Sequence, residues 1–340
     1  MQVEKPADHP RFPAPRIGVL LLNLGTPDGT SYWPMRRYLS EFLSDKRVIE
    51  ANPLIWQPIL QGVILSTRPQ ASGANYERIW DKEAGDSPLR VITQRQVDKL
   101  QVRLGEGVLV DYGMRYGNPS TASRIEAMQK AGCQKILLAP LYPQYSATTT
   151  ATANDKAFAT LAQMRWQPAV RTLPAYFDTP AYIAALAKSI EQGVAALSFE
   201  PDVVLTSYHG MPQSYLERGD PYYCQCLKTT RLVNETLGWE PGKIRVTFQS
   251  RFGPTEWLKP YTADTIEELG REKKKVAIVA PAFSVDCIET LEEIAITGHE
   301  QFVEAGGGHD DYAYIPCLND SDLGMDMLEA VVRNELQGWL

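Results

Sequence analysis

From Ile17 to Leu22 the chain is apolar without interruption, in Ile17-Gly-Val-Leu-Leu-Leu-Asn23. A strand with one wet face alternates apolar and polar residues. A continuous run must be covered on both faces, as inside a parallel sheet flanked by helices. The rest of the chain repeats this logic. Short apolar strands are predicted at Val108–Tyr112, Lys135–Ala139, Val203–Thr206, Ile244–Phe248, Val276–Ala280 and Tyr312–Ile315. Between them run helical patterns. Ser87-Pro88 opens one to about Leu104, before Gly105, and Ser120–Ala131 ends at Gly132. Thr179-Pro180 opens another to about Leu197, followed by Pro221–Leu237, Thr262–Leu269, Asp286–Ala305 and Leu323–Leu336. Such alternation specifies the α/β class, with parallel sheets and helices on both faces. Two series joined around Thr148–Ala159 predict two similar halves, 1–150 and 151–320, with a cleft between them and a closing helix over 321–340.

A chain of 340 residues accommodates a sizeable core in each half, and 44% hydrophobic with 22% charged residues is the composition of a globular protein. The net charge of −7 argues against a nucleic acid as partner. No apolar run reaches the 18 residues of a membrane span. The arm Met1–Arg16 carries Pro6, Pro10, Pro13 and Pro15, lacks the apolar stretch of a signal peptide, and is too acidic for a transit peptide. The expected location is therefore cytoplasmic. Five cysteines, an odd number in a chain of this size, suit a reducing compartment. Cys224 and Cys226 form a C-x-C that reads as ordinary thiols, since a structural metal site needs about four spaced ligands.

In open α/β sheets ligands bind beyond the carboxyl ends of strands. The loops Leu24–Thr30, Gly113–Asn118, Tyr142–Thr150, His209–Gln213, Ser250–Pro254 and Ala282–Asp286 all follow strands on this reading, so they converge on one cleft. A nucleotide phosphate cradle has little support, because neither G-x-G-x-x-G nor G-x-x-x-x-G-K-S/T occurs, and Asn23–Gly29 reads as a plain turn before it reads as loop amides for an anion. Of four histidines, His209 follows the apolar Val203–Leu205 and precedes Gly210. That arrangement presents an imidazole to the cleft, where it can take a proton or bind a metal. A helix from about Asp286 would align the carboxylates of Asp286, Glu289 and Glu293 in one stripe, suited to a divalent cation and to proton movement. The plainer reading of Glu289 and Glu293, beside Glu292 and Glu300, is a solvated helix face. Arg115 and Tyr116 stand between Gly113 and Gly117, either reaching across the cleft or capping a helix. Trp257, Phe283, Tyr142, Tyr145 and Tyr208 fit either core packing or a wall for a flat aromatic ligand. Pro53–Leu65 holds 13 residues without a charge, and so is either a buried helix or an apolar lip over the cleft.

These motifs resemble those of the ferrochelatases, which insert Fe(II) into protoporphyrin IX to make haem. The resemblance runs from Leu22-Asn-Leu-Gly-Thr-Pro27 to Pro316-Cys-Leu-Asn319. Its specific parts are Gly113-Met-Arg-Tyr-Gly117, Tyr142-Pro-Gln-Tyr-Ser146, Ser207-Tyr-His-Gly-Met-Pro212, Arg218-Gly-Asp-Pro221, Phe248-Gln-Ser-Arg-Phe-Gly-Pro254 and Phe283–Glu293. The forms His-Gly-Met-Pro and Asp-Cys-Ile-Glu resemble the proteobacterial branch, with Cys287 where animal members have histidine. The resemblance implies two Rossmann-like halves with porphyrin between them. It implies catalytic and metal-binding roles for His209 and Glu289, and a proton or metal path through Asp286 and Glu293. Leu24, Arg115, Tyr116, Trp257, Phe283 and Asp286 fall in or beside the pocket, with Arg68, Tyr76 and Ser87 near the propionates. Some members hold a [2Fe-2S] cluster; here Ala147 stands where an upstream ligand would fall and no cysteine follows Cys317, so no cluster or other cofactor beyond substrate iron is expected. The uncharged lip favours apolar protoporphyrin over coproporphyrin or a corrin precursor for cobalt, and suits weak peripheral contact with a membrane. A non-catalytic tetrapyrrole carrier would not need His209 beside an acidic stripe.

Overall fold

The computed structural model describes Asp8 and residues 13–340; most of the Met1–Arg16 arm lies outside the described residues. Among the described residues eight strands form two four-stranded sheets. The first contains β1 (Arg16–Thr26), β2 (Val108–Gly117), β3 (Cys133–Pro140) and β4 (Ala169–Thr172), in the order β2-β1-β3-β4. The second contains β5 (Val203–His209), β6 (Ile244–Gln249), β7 (Val276–Val279) and β8 (Tyr312–Tyr314), in the order β6-β5-β7-β8. Every pairing is parallel. The two halves thus share one topology. In each, the chain leaves the first strand to one side and later crosses to the other, so the crevice opens between β1 and β3 and between β5 and β7. Ligands of open α/β folds bind at such switch points. The apolar run of β1 is covered on both faces, with Val19 to Leu22 wholly buried.

Several sequence expectations change. The first half does not end at 150, because β4 completes its sheet, and the junction expected around Thr148–Ala159 is helical (Ala147–Ala151 and Thr152–Leu161). Helices at Tyr32–Leu43 and Leu65–Ile79 were not foreseen. Nor is Gly113–Asn118 a loop: β2 continues to Gly117, paired with Thr26 of β1. That extension depends on Gly25, where a Cβ would lie 1.8 Å from the carbonyl oxygen of Tyr116. The helix expected from Asp286 begins at Ile288 and is wound as a π-helix to Gly298 before His299–Glu304 continues it. The closing helix, Asp322–Leu336, is no separate unit. Arg103 of the first half pairs with its Asp326 at 2.6 Å, and Val332 and Leu336 share one apolar cluster with Val19, Leu137, Ile190, Val204 and Val279. One core therefore runs through both halves.

Candidate active site

The two crevices face one another and enclose a cavity of about 750 Å³, lined mostly by apolar side chains. Leu24, Phe42, Tyr76, Ser87 and Tyr142 line it from the first half, and His209, Met211, Trp257, Phe283, Ile288 and Glu289 from the second.

His209 is the last residue of β5. Its Nδ1 lies 2.7 Å from the carbonyl oxygen of Gly210. A carbonyl only accepts, so Nδ1 carries the proton and Nε2 keeps its lone pair in the neutral ring. Gly210 is required by close approach: a Cβ would stand 2.5 Å from the Gln249 carbonyl and 3.1 Å from the Trp257 ring.

Glu289 lies in the first turn of the π-helix and lines the cleft with His209. Glu293, four residues on, accepts from the Ser250 N–H at 2.7 Å and from its hydroxyl at 2.6 Å. Burial raises the pKa of Glu293 above the ordinary carboxylate value and the charge of Glu289 adds to this, against the Ser250 hydrogen bonds and the neighbouring His209. Cys287 is pushed up by burial and by Glu289, so a neutral thiol borders the cleft.

Asp286 does not join the stripe. Cys287 is extended, which turns the preceding side chain away from the helix face. The Asp286 carboxylate instead accepts from Tyr314 (2.5 Å), Thr290 (2.9 Å) and Asn319 (2.6 Å), and is 4% exposed. Arg115 and Tyr116, being on β2, also stay out of the cavity lining. Arg115 hydrogen-bonds Asp45 and Thr152 and stacks 4.3 Å over the Tyr116 ring, while the Tyr116 hydroxyl reaches Asp45 at 2.7 Å. Tyr116 is fully buried behind Phe42, with ring centroids 5.0 Å apart. An open depression of about 990 Å³, bordered by Trp33, Arg36, Arg37, Lys46 and Arg47, reaches Arg115 from outside.

Of the aromatic set, Tyr142, Trp257 and Phe283 line the cleft, whereas Tyr208 is buried against Thr230 and Tyr145 is held elsewhere through its backbone by Gln225. The Trp257 Nε1 and the Tyr142 hydroxyl are buried with no hydrogen-bond partner. Tyr76 and Ser87 line the cleft, and the Ser87 hydroxyl makes no helix cap. Arg68 is outside, 5.4 Å over the Phe252 ring at the mouth. The sequence reading did not single out Phe42, Met211, Tyr215 or Phe252; Met211 and Phe252 carried a signal, in the His-Gly-Met-Pro motif and in Phe248–Pro254. Pro53–Leu65 resolves into a helix, Pro53–Ile59, and a π-turn, Leu60–Ile64. Leu54 (85%), Ile55 (65%), Ile59 (42%) and Val63 (63%) are exposed, while Leu60 and Leu65 are core.

Comparison with known proteins agrees with this geometry. The ferrochelatase family model matches residues 16–336. Ferrochelatases of Allorhizobium ampelinum and Agrobacterium fabrum are 57% and 56% identical over 338 residues, covering 98% of each chain. The solved SirB of Bacillus subtilis with Fe3+ shares the fold at TM-score 0.52 and 12% identity, covering 75% of this chain and 90% of that one. A family match along nearly the whole length, on a fold with two facing crevices and an imidazole and a carboxylate lining one cavity, leaves one conclusion: the chain belongs to the ferrochelatases, the enzymes that insert iron into porphyrin in haem biosynthesis.

Proposed function

We propose that the porphyrin is protoporphyrin IX and that His209 and Glu289 are the residues that meet its core and the incoming Fe(II). The observation that carries this is the hydrogen bond from Nδ1 to Gly210, which leaves Nε2 free in an apolar cleft shared with Glu289. Porphyrin releases two N–H protons as one divalent ion enters, so the core keeps its charge and the site must accept two protons. His209 Nε2 suits the first transfer at neutral pH, or a bond to Fe(II). Glu289 beside it offers an oxygen donor for the cation, and Glu293, with its raised proton affinity, suits holding a proton on the way to solvent. The aromatic and aliphatic lining suits a flat apolar macrocycle better than coproporphyrin or a corrin precursor, and the paired imidazole and carboxylate exceed the needs of a carrier.

Activity needs no iron–sulfur cluster on this reading. The backbone amide of Ala147 donates to Asp220 at 2.9 Å, and a methyl group stands where a ligand would be required. The exposed Leu54, Ile55, Ile59 and Val63 suit peripheral contact with the inner face of a membrane, and the neighbouring depression, with Arg36, Arg37, Lys46, Arg47, Arg115 and Lys156 against Glu41, Asp45, Glu50 and Asp155, adds a small local excess of positive charge. No described helix is long and apolar enough to cross a membrane.

The test is anaerobic incubation of the protein with protoporphyrin and Fe(II), following the porphyrin absorption bands. Metallation in wild type, and a loss of roughly two orders of magnitude or more in His209→Ala with porphyrin binding retained, is the expected result for removing a general base. Turnover near wild type in His209→Ala would remove the imidazole from the reaction.

A further inference from the structure

His209 stands on β5, whereas Glu289 and Glu293 stand on the π-helix some 80 residues later. Nothing covalent sets their spacing. Gln249, at the end of β6, bridges them. Its side-chain oxygen accepts from the Ser207 hydroxyl at 2.7 Å, and its side-chain nitrogen donates to the backbone carbonyl of Glu289 at 2.7 Å. Its own carbonyl accepts from the Gly210 N–H at 2.8 Å. The residue is 4% exposed, so these bonds hold it without competition from water. One residue thus ties both flanks of His209 to the first turn of the π-helix, Ser207 and Glu289 through its side chain and Gly210 through its backbone carbonyl.

The next residue acts on the same helix. Ser250 has φ +62°, in the left-handed region that a residue with a Cβ seldom adopts. In this conformation its N–H and its hydroxyl reach the two oxygens of the one Glu293 carboxylate. Backbone strain is thereby coupled to the aim of a titratable group in the cleft.

We propose that Gln249 and Ser250 are positioning residues for metal insertion: together they clamp the π-helix against β5 and fix the spacing and aim of His209, Glu289 and Glu293. This rests on the reading of His209 and Glu289 as the metal-handling pair. Reacting groups displaced by about 1 Å lose on the order of 100-fold in rate, so the clamp acts on turnover more than on porphyrin affinity.

Two variants test it. Gln249→Met keeps the length of the side chain and removes both of its hydrogen bonds. Ser250→Gly accepts the positive φ, keeps the N–H and removes the hydroxyl. Each is assayed for kcat and for KM with Fe(II) under anaerobic conditions, for porphyrin Kd by fluorescence, and for Tm. The expected result is a kcat lowered roughly tenfold to a hundredfold with a raised KM for Fe(II), and a porphyrin Kd within about twofold of wild type. A purely structural role would move Tm and porphyrin Kd and leave the kcat of the folded fraction unchanged, and that pattern overturns the proposal. His209→Ala and Glu289→Gln run alongside. If those two are inactive while Gln249→Met and Ser250→Gly match wild type, the clamp is wrong and the metal-site reading stands. If His209→Ala and Glu289→Gln remain active, the metal-site reading fails and the clamp with it. Should Gln249→Met not fold, Ser250→Gly decides alone, and wild-type kcat and KM for Fe(II) there overturn the proposal.

Discussion

Arg78, on the helix Leu65–Ile79, reaches Glu292 on the π-helix at 2.7 Å, and Thr297 donates to the same carboxylate oxygen at 2.9 Å. Glu292 is therefore a buried tie between the halves, 6% exposed, and not the solvated acid its neighbourhood of charges suggests in sequence. Glu292→Gln and Arg78→Ala should each cost about 1–3 kcal/mol, the range for a buried group that loses its partner, discounted because Arg78 is partly exposed. Urea unfolding should show this, with Glu304→Gln, at an exposed position, as the silent control. A lowered kcat at unchanged stability in Glu292→Gln would mean that this acid serves the chemistry directly.

Asp286 faces three side-chain donors, from Tyr314, Thr290 and Asn319, and the backbone N–H of Cys317. Asp286→Asn puts an NH2 group where an acceptor is needed, and each unsatisfied buried group costs roughly 1–3 kcal/mol. The variant should lower Tm clearly more than Glu289→Gln does. Loss of turnover with an unchanged Tm would instead restore Asp286 to the proton path.

Asp45 gives a pH signature. Burial raises its pKa, but hydrogen bonds from Thr152, the Arg47 N–H and Tyr116, with the charge of Arg115, outweigh this and hold it below its ordinary value of 3.8. A depressed carboxylate stabilises the fold above the unfolded pKa, and that contribution is lost as pH falls through the folded one. The stability gap between wild type and Asp45→Asn should be full at pH 7 and should narrow below 3.8. Urea midpoints at neutral and acid pH measure it; a gap independent of pH would show that the carboxylate charge contributes nothing.

The lip divides by burial. Replacing Leu54, Ile55 and Ile59 together with Ser should weaken liposome association and leave Tm within a few degrees of wild type, since all three are exposed. Leu60→Ser should destabilise by about 2–5 kcal/mol or more, as for a core leucine cut to a small residue. Unfolding of the triple variant would make the whole segment core.

The sequence by itself determined the architecture. Uninterrupted apolar runs, Ser-Pro and Thr-Pro helix starts and glycine stops are local signals, each set by covering or capping within a few residues. They were enough to place seven of the eight strands among the described residues; β4, with no buried residue and with Arg171 in its middle, carried too weak a pattern. His209 was legible for the same reason, as an imidazole at the end of a buried strand. Tertiary structure decided which neighbours face which space. Arg115 and Tyr116 stay out of the cavity lining because β2 remains paired to β1 through Gly117. Asp286 leaves the stripe because an extended Cys287 precedes a π-helix, and helical spacing in sequence cannot reveal a change of winding. Leu60 is core and Ile59 is exposed, although the run containing them is uniformly apolar. The partners that make these choices, such as Arg78 for Glu292 and Gln249 for Glu289, lie tens to hundreds of residues away, where local pattern carries no information.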